Sequence, residues 1–171
     1  MRPTLWQRVD VFARQLTPFA LALILVMASL VPIPVPGLMA VTPLLTLLAV
    51  YHWSVARPEL MPAYAVFLVG LVQDLLTATP IGLNAVVLLI VYGIVVWQHR
   101  FLAGKSFGIV WLGFALVSLG AVSLGWGLAS LYHGVALPVR VLAVQYVITL
   151  GFYPLFAWAF LRWQRAFLAQ V

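Results

Sequence analysis

Long apolar stretches alternate along the chain with isolated charged residues and short turn-forming segments. A helix that crosses the hydrocarbon core of a bilayer needs about 20 mostly apolar residues. Charged residues bound the available stretches, and two of these are divided again by the proline-rich segment 32–37 and the Pro- and Gly-containing segment 77–82, where a helix cannot continue. The pattern predicts six spanning helices, at residues 16–31, 38–53, 60–77, 83–98, 107–131 and 141–161.

The first fifteen residues have a different pattern. Their apolar residues recur at roughly helical spacing, with arginines elsewhere on the wheel, which is typical of an amphipathic helix at the membrane interface. No small-residue cleavage site follows the first apolar stretch, so a removed signal peptide is not expected. We therefore expect one transmembrane domain over residues 1–171, with a basic interfacial segment at 1–15.

The composition agrees with a membrane protein. Hydrophobic residues make up 65% of the chain and charged residues 7%, against about 45–50% and about 25% in soluble domains. This excludes a soluble globular protein, a disordered chain and a DNA-binding domain. The net charge of +6 does not indicate a nucleic-acid partner, because the basic residues stand singly between apolar stretches, as they do where spans are anchored in lipid. The absence of cysteine excludes disulfides and thiolate chemistry.

The basic residues are distributed unequally between the two sides of the membrane. If the six spans alternate in direction, Arg140 alone lies on one side, and the other side holds Arg2, Arg8, Arg14, Arg57, Arg100, Lys105, Arg162 and Arg165. Such a bias predicts that both termini are cytoplasmic. The tryptophans agree, since those predicted at cytoplasmic helix ends, where indole rings favour the headgroup layer, are Trp53, Trp97, Trp111 and Trp163.

A group of polar residues surrounds Asp74, the only acid inside a predicted span. A charge at mid-span costs about 2.5–3.5 kcal/mol on insertion scales, so this carboxyl group should face protein or water. The polar residues at the junction of the third and fourth spans are Gln73, Asp74, Thr77 and Asn84. The turn that joins the spans contains Pro80 and Gly82, and Arg140 is the expected cationic partner.

The residues leave several roles open for Asp74. It could brace a helix turn, either protonated or paired, or it could serve a ligand site, a partner contact or a proton relay. A relay usually needs several ionisable groups along a path, and this chain offers one acid, so the relay is the least favoured.

Small residues follow a regular spacing in the fifth predicted helix. Ala121, Gly125 and Ala129 recur every four residues, as do Ser123 and Gly127. Small residues at this spacing let another helix approach closely. We favour packing against this chain's own helices, with an intermolecular face as the alternative.

No pattern of catalytic or metal-binding residues is present in the sequence. The three histidines are predicted at different ends of the helices, His52 and His99 at cytoplasmic ends and His133 on the opposite side, with no carboxylate spaced to complete a metal site. Neither a phosphate-binding glycine loop nor a nucleophile elbow occurs. We therefore expect no catalytic residues, no metal and no cofactor.

The segment 43–85 resembles a known family. A proline opens the second span, a Tyr/Trp pair closes it before a Pro-containing turn, and Gly-Leu-x-x-Asp-Leu in the third span precedes a short polar turn. The residues at these positions are Pro43, Tyr51, Trp53, Pro58, Gly70, Leu71, Asp74, Leu75, Gly82 and Asn84. The pattern is similar to that of the rod shape-determining MreD family of bacterial inner-membrane proteins.

The resemblance implies a fold and a set of partners. The fold would be all-α, with six transmembrane helices and both termini inside, similar to the substrate-binding component of energy-coupling-factor transporters. The protein would be a non-enzymatic member of the cell-elongation machinery. It would act with MreC and with the MreB filament, a RodA-type glycosyltransferase and a class B penicillin-binding transpeptidase.

Three functions therefore stay open at this point. The first is a membrane scaffold that positions or regulates peptidoglycan synthesis. The second is a substrate- or lipid-binding subunit of a transporter, which needs a polar-lined cavity around Gln73, Asp74, Asn84, Arg140 and Gln145. The third is a proton- or ion-coupled carrier. Self-association is compatible with each of them.

Overall fold

The computed structural model describes residues 5–31, 41–136 and 138–167, with side chains at 17–31, 41–136 and 138–162. Within these ranges the chain is all-α, as expected. The helices are α1 (Leu5–Ala28), α2 (Leu45–Ala56), α3 (Ala63–Thr77), α4 (Leu83–Trp97), α5 (His99–Leu102), α6 (Phe107–His133) and α7 (Val139–Phe167), and a 3₁₀ turn (Pro58–Leu60) joins α2 to α3.

The N-terminal helix is longer than predicted. Residues 5–15 are not a separate helix, because α1 runs without a break from Leu5 to Ala28 and contains Pro18. The helix also ends three residues before the predicted end at 31. There the Ser29 hydroxyl donates to the carbonyl oxygen of Val26 at 2.7 Å, a local bond that competes with helix continuation. The interfacial position of residues 1–15 stays a prediction.

The second helix is shorter than predicted. We expected it to begin at residue 38; residues 38–40 lie outside the described ranges, and α2 begins only at Leu45. Pro43 lacks an N–H group, and α7 supplies partners for its neighbours. Gln145 Nε2 donates to the Thr42 carbonyl oxygen at 2.7 Å, and the Leu44 N–H donates to Thr149 Oγ1 at 3.0 Å. Non-helical backbone inside a membrane is tolerated where protein groups satisfy it in this way.

Replacing the Thr149 hydroxyl should therefore weaken the fold. In Thr149→Val the partly buried Leu44 N–H loses its acceptor, which we expect to cost about 1 kcal/mol or more of unfolding free energy. Thr149→Ser keeps the hydroxyl and is the matched control, with a smaller loss. Denaturant titration of the purified protein in mixed micelles measures both. Equal stabilities for the Val and Ser variants would contradict the role given to this hydroxyl.

Helix α2 is the centre of the bundle. Every residue from Leu45 to Val55 is buried. Tyr51 packs edge-on against Phe114 of α6, at a centroid distance of 5.2 Å, and its hydroxyl donates to the Val110 carbonyl oxygen at 2.8 Å. Phe114 in turn stacks on Tyr153 of α7 at 4.4 Å. Aromatic rings thus join the central helix to the two long ones.

Two interfacial predictions on α2 are wrong. Trp53, expected at the headgroup layer, is 0% exposed, and His52, expected at the same interface, is also buried. The reason is that α2 is only 12 residues long and is covered by its neighbours, with Phe160 of α7 packing against both rings. Trp97, by contrast, is 83% exposed, and Trp111 is also exposed. The side chain of Trp163 lies outside the described set.

Two helices are long and apolar enough to cross a membrane, over Phe107–His133 and Val139–Arg162. The other apolar helices in the described ranges are shorter, at Thr17–Ala28, Leu45–Ala56, Ala63–Thr77 and Leu83–Trp97. Helix α3 starts at Ala63 rather than 60 because residues 58–60 form the 3₁₀ turn, and α7 begins two residues before the predicted start. Six spans therefore stay a prediction.

Candidate functional site

The polar residues around Asp74 meet in the hairpin of α3 and α4. Asp74 lies in the last turn of α3 and is 0% exposed. The helix stops at Ala78, which adopts a left-handed conformation with φ 53°, and Gly82, with φ 97°, precedes α4. The reversal brings the start of α4 beside the end of α3, so that Asp74 faces the backbone of the next helix.

The Asp74 carboxylate caps α4 from the neighbouring helix. Its Oδ2 accepts the N–H groups of Gly82 at 2.8 Å and Ala85 at 3.4 Å, and its Oδ1 accepts the Asn84 N–H at 3.0 Å. The first N–H groups of a helix have no partner within that helix. Gly82, at the N-cap position, has no side chain to supply one. A carboxylate also interacts favourably with the positive end of the helix dipole.

Two side chains complete the environment of the carboxylate. Thr79 Oγ1 and Asn84 Nδ2 each donate to Asp74 Oδ1 at 2.8 Å, and Asn84 Nδ2 also donates to Thr79 Oγ1 at 3.2 Å. The two Asp74 oxygens thus accept five hydrogen bonds, all from uncharged groups of the α3–α4 turn and the first turn of α4. Desolvation of the buried carboxyl group is offset by these bonds rather than by a countercharge.

Gly70 explains how α4 comes close enough. A Cβ atom at Gly70 would lie 2.4 Å from Ala85 Cα and 2.8 Å from Ala85 N, which is too close for any side chain. Gly70 and Asp74 are four residues apart, so they share a face of α3. The glycine lets the backbone of α4 approach, and the carboxylate one turn later binds its N–H groups. We call Gly70, Asp74, Thr79, Gly82, Asn84 and Ala85 the Asp74 clamp.

The other predicted site residues do not bind the Asp74 carboxylate. Thr77 donates to the Gln73 carbonyl oxygen at 2.8 Å, and the Pro80 carbonyl oxygen accepts the Leu83 N–H at 3.0 Å within the turn. Gln73 is buried and is not among the five donors to the Asp74 carboxylate. Arg140, the expected cationic partner, is exposed and is not among the five donors to Asp74.

The small residues of α6 separate into two groups. Ala121 is buried, a Cβ atom at Gly125 would meet Val87 of α4 at 3.9 Å, and Ala129 lies on the same face. This row faces the interior of the molecule, and its role in helix packing stays a prediction. Ser123 and Gly127 are exposed on the described surface. Among the described residues, no group of three His, Asp or Glu side chains could hold a metal ion.

The clamp is suited to structure rather than to chemistry. Its carboxylate is inaccessible, and all its nearest donors are fixed by the hairpin. The sequence analysis did not identify Thr79 as a site residue, and it did not identify the role of Gly70 in helix packing. The sequence did contain a signal for this site. Asp74 follows Gly70 by one helical turn, and the next helix has Gly82 at its N-cap position instead of a residue whose side chain could cap it.

Comparison with known proteins assigns the family. Searches of curated proteins and of solved structures find no match. The sequence model described as rod shape-determining protein MreD matches residues 11–165 of the 171-residue chain. The match includes the whole Asp74 clamp and all the helices from α2 to α6. The chain therefore belongs to the MreD family of rod shape-determining membrane proteins.

Proposed function

We propose that this protein is a non-enzymatic scaffold of the cell-elongation complex in the bacterial inner membrane. It acts with an MreC-like partner to position or regulate peptidoglycan synthesis, and through that partner with MreB, a RodA-type glycosyltransferase and a class B penicillin-binding transpeptidase. The observation that supports this most is the family match over residues 11–165. The Asp74 clamp agrees with it, because the one buried acid among the described residues is fully used in holding two helices together.

The exposed surface favours lateral contacts within a bilayer. Large apolar side chains are exposed along both long helices, including Leu116 and Leu119 on α6 and Val147 and Leu155 on α7. Surfaces of this kind are stable in lipid, where helices associate through packing and hydrogen bonds. A scaffold that recruits membrane-embedded partners needs such outward-facing helices.

The positions of the basic residues favour cytoplasmic termini. Arg57, Arg100 and Lys105 lie in the connections at the bundle end opposite Asp74, whereas Arg140 lies at the start of α7. We infer from the positive-inside rule that the end with Asp74 faces the periplasm. An MreC-like partner with a periplasmic domain would reach this end of the bundle.

Co-purification tests the proposal. A tagged full-length chain, extracted from its own bacterium in mild detergent, should recover the MreC-like protein. A tagged membrane protein of unrelated function, expressed to the same level, is the control and should recover none. If the chain is present at normal abundance and recovers no more MreC-like protein than the control, the scaffold function is wrong.

A further inference from the structure

A cavity of about 330 Å³ lies beside the Asp74 clamp. Its walls come from the α3–α4 hairpin, the non-helical segment before α2, and helices α6 and α7. The cavity therefore lies where several helices of the bundle meet. A void of about 150 Å³ in a protein core can hold benzene, and ligand sites generally begin at about 300 Å³. The space is large enough for a small organic molecule or for one end of a lipid.

The walls of the cavity are mainly apolar and uncharged. Leu47, Leu83, Val87 and Leu88 form much of the lining, and Ala121 and Gly125 lie opposite on α6. Lys, Arg, Asp and Glu do not occur among the described lining residues, and His133 is the one histidine. A charged occupant would lose its hydration without a countercharge, so the lining selects an uncharged molecule.

One polar group in the wall has no partner. Gln73 is only 8% exposed, it lines the cavity, and its Oε1 is buried without a hydrogen bond. Other polar atoms nearby are already engaged. Asn84 Nδ2 donates to Asp74 and Thr79, and Gln145 Nε2 donates to the Thr42 carbonyl oxygen. Buried polar groups in folded proteins are almost always paired, so Gln73 lacks a donor that the cavity could contain.

We infer that this cavity binds an uncharged amphiphile whose apolar body fills the space between α4 and α6 and whose hydroxyl group hydrogen-bonds to the Gln73 carboxamide, which turns toward the occupant. A hydroxyl both donates and accepts, so it satisfies the carboxamide in either of its two orientations. The molecule is either a membrane lipid or a small water-soluble alcohol. The inference is independent of the scaffold function.

Thermal unfolding of the purified full-length chain tests this with four probes. These are 1-monooleoylglycerol, methyl oleate, oleate and octane-1,2-diol, each titrated into the same micelles. A ligand that binds the folded state and not the unfolded state raises the unfolding temperature, and the rise grows with the ratio of its concentration to its dissociation constant. We expect a rise of several degrees with a hydroxyl-bearing, uncharged probe and little change with methyl oleate or oleate. A rise with octanediol assigns a water-soluble source, and a rise with monooleoylglycerol alone assigns a lipid.

Matched variants test whether the rise in unfolding temperature comes from binding in the cavity. Gln73→Leu should remove the difference between monooleoylglycerol and methyl oleate, because the acceptor is gone. Gly125→Leu, or Ala129→Leu if the first does not fold, should remove the rise altogether by filling the space. Ser123→Leu adds the same bulk on the exposed face of α6 and should keep the wild-type response.

Two results would overturn the inference. One is an equal response to monooleoylglycerol and methyl oleate in the wild-type chain. The other is an undiminished response in the folded cavity-filling variant. Either shows that the probe acts on the micelle or on the outer surface rather than in the cavity.

Discussion

Asp74→Ala should lose about 3–5 kcal/mol of unfolding free energy, because each buried N–H group left without an acceptor costs about 1–3 kcal/mol. Three backbone N–H groups depend on this carboxylate, those of Gly82, Asn84 and Ala85. The loss is a large part of a typical total stability of about 5–15 kcal/mol. We therefore expect a strong decrease in the amount of protein in the membrane, together with a lower midpoint in denaturant titration.

Two further variants make this prediction specific. Asp74→Asn keeps one acceptor oxygen and should lie between the wild type and the alanine variant. Thr79→Val removes a single donor to Asp74 Oδ1 and leaves the backbone bonds in place, so its loss should be about 1 kcal/mol. The order of stability should be wild type, Thr79→Val, Asp74→Asn, Asp74→Ala. Wild-type stability in Asp74→Ala would disprove the capping role.

Gly70→Ala should be almost as damaging although it adds one methyl group. The new Cβ atom would lie 2.4 Å from a backbone atom of α4, which cannot rotate away, so the helices must separate. Overpacking of this kind costs about 1–3 kcal/mol. Separation also lengthens the Asp74 hydrogen bonds, so we expect a total of about 3 kcal/mol or more by the same titration.

Gly93→Ala in α4 is the matched control for this substitution. A Cβ atom there meets nothing within 4 Å, so the change should be neutral or stabilising by up to about 1 kcal/mol. The double variant Gly70→Ala/Asp74→Ala should lose less than the sum of the single losses, since both act on the same helix contact. Strict additivity, or equal stability of Gly70→Ala and Gly93→Ala, would contradict the close approach of α3 and α4.

The hydrophobic pattern predicted the start of a helix correctly where a turn or a polar loop in the local sequence precedes the helix. Helices α4 and α6 begin at the predicted residues 83 and 107, since a turn or a polar loop sets each boundary. The errors at α2 have a tertiary cause. The segment around Pro43 stays non-helical because Gln145 and Thr149, about 100 residues later, satisfy its backbone. Nothing near position 43 encodes those partners.

The candidate site was predicted in part. The spacing of Asp74, Gly82 and Asn84 indicated that they converge at one turn, and the structure brings them into contact. The choice of partner could not be predicted from charge alone. Arg140 was the one cation at a similar predicted depth, yet backbone N–H groups a few residues away satisfy the carboxylate without it. The burial of Trp53 was missed for a related reason, because local pattern does not show which helix is central.

The most direct test of whether Asp74 acts only by stabilising the fold is the shape of cells that contain equal folded amounts of the variant and of the wild-type chain. In a rod-shaped bacterium depleted of its own MreD, expression of the Asp74→Asn variant is raised until its folded amount in the membrane equals that of the wild-type chain. The structural role predicts rods of wild-type width at that level, and round cells only when the folded amount is lower. Round cells at equal folded amount would show that the carboxylate has a direct part in the activity and would contradict the account.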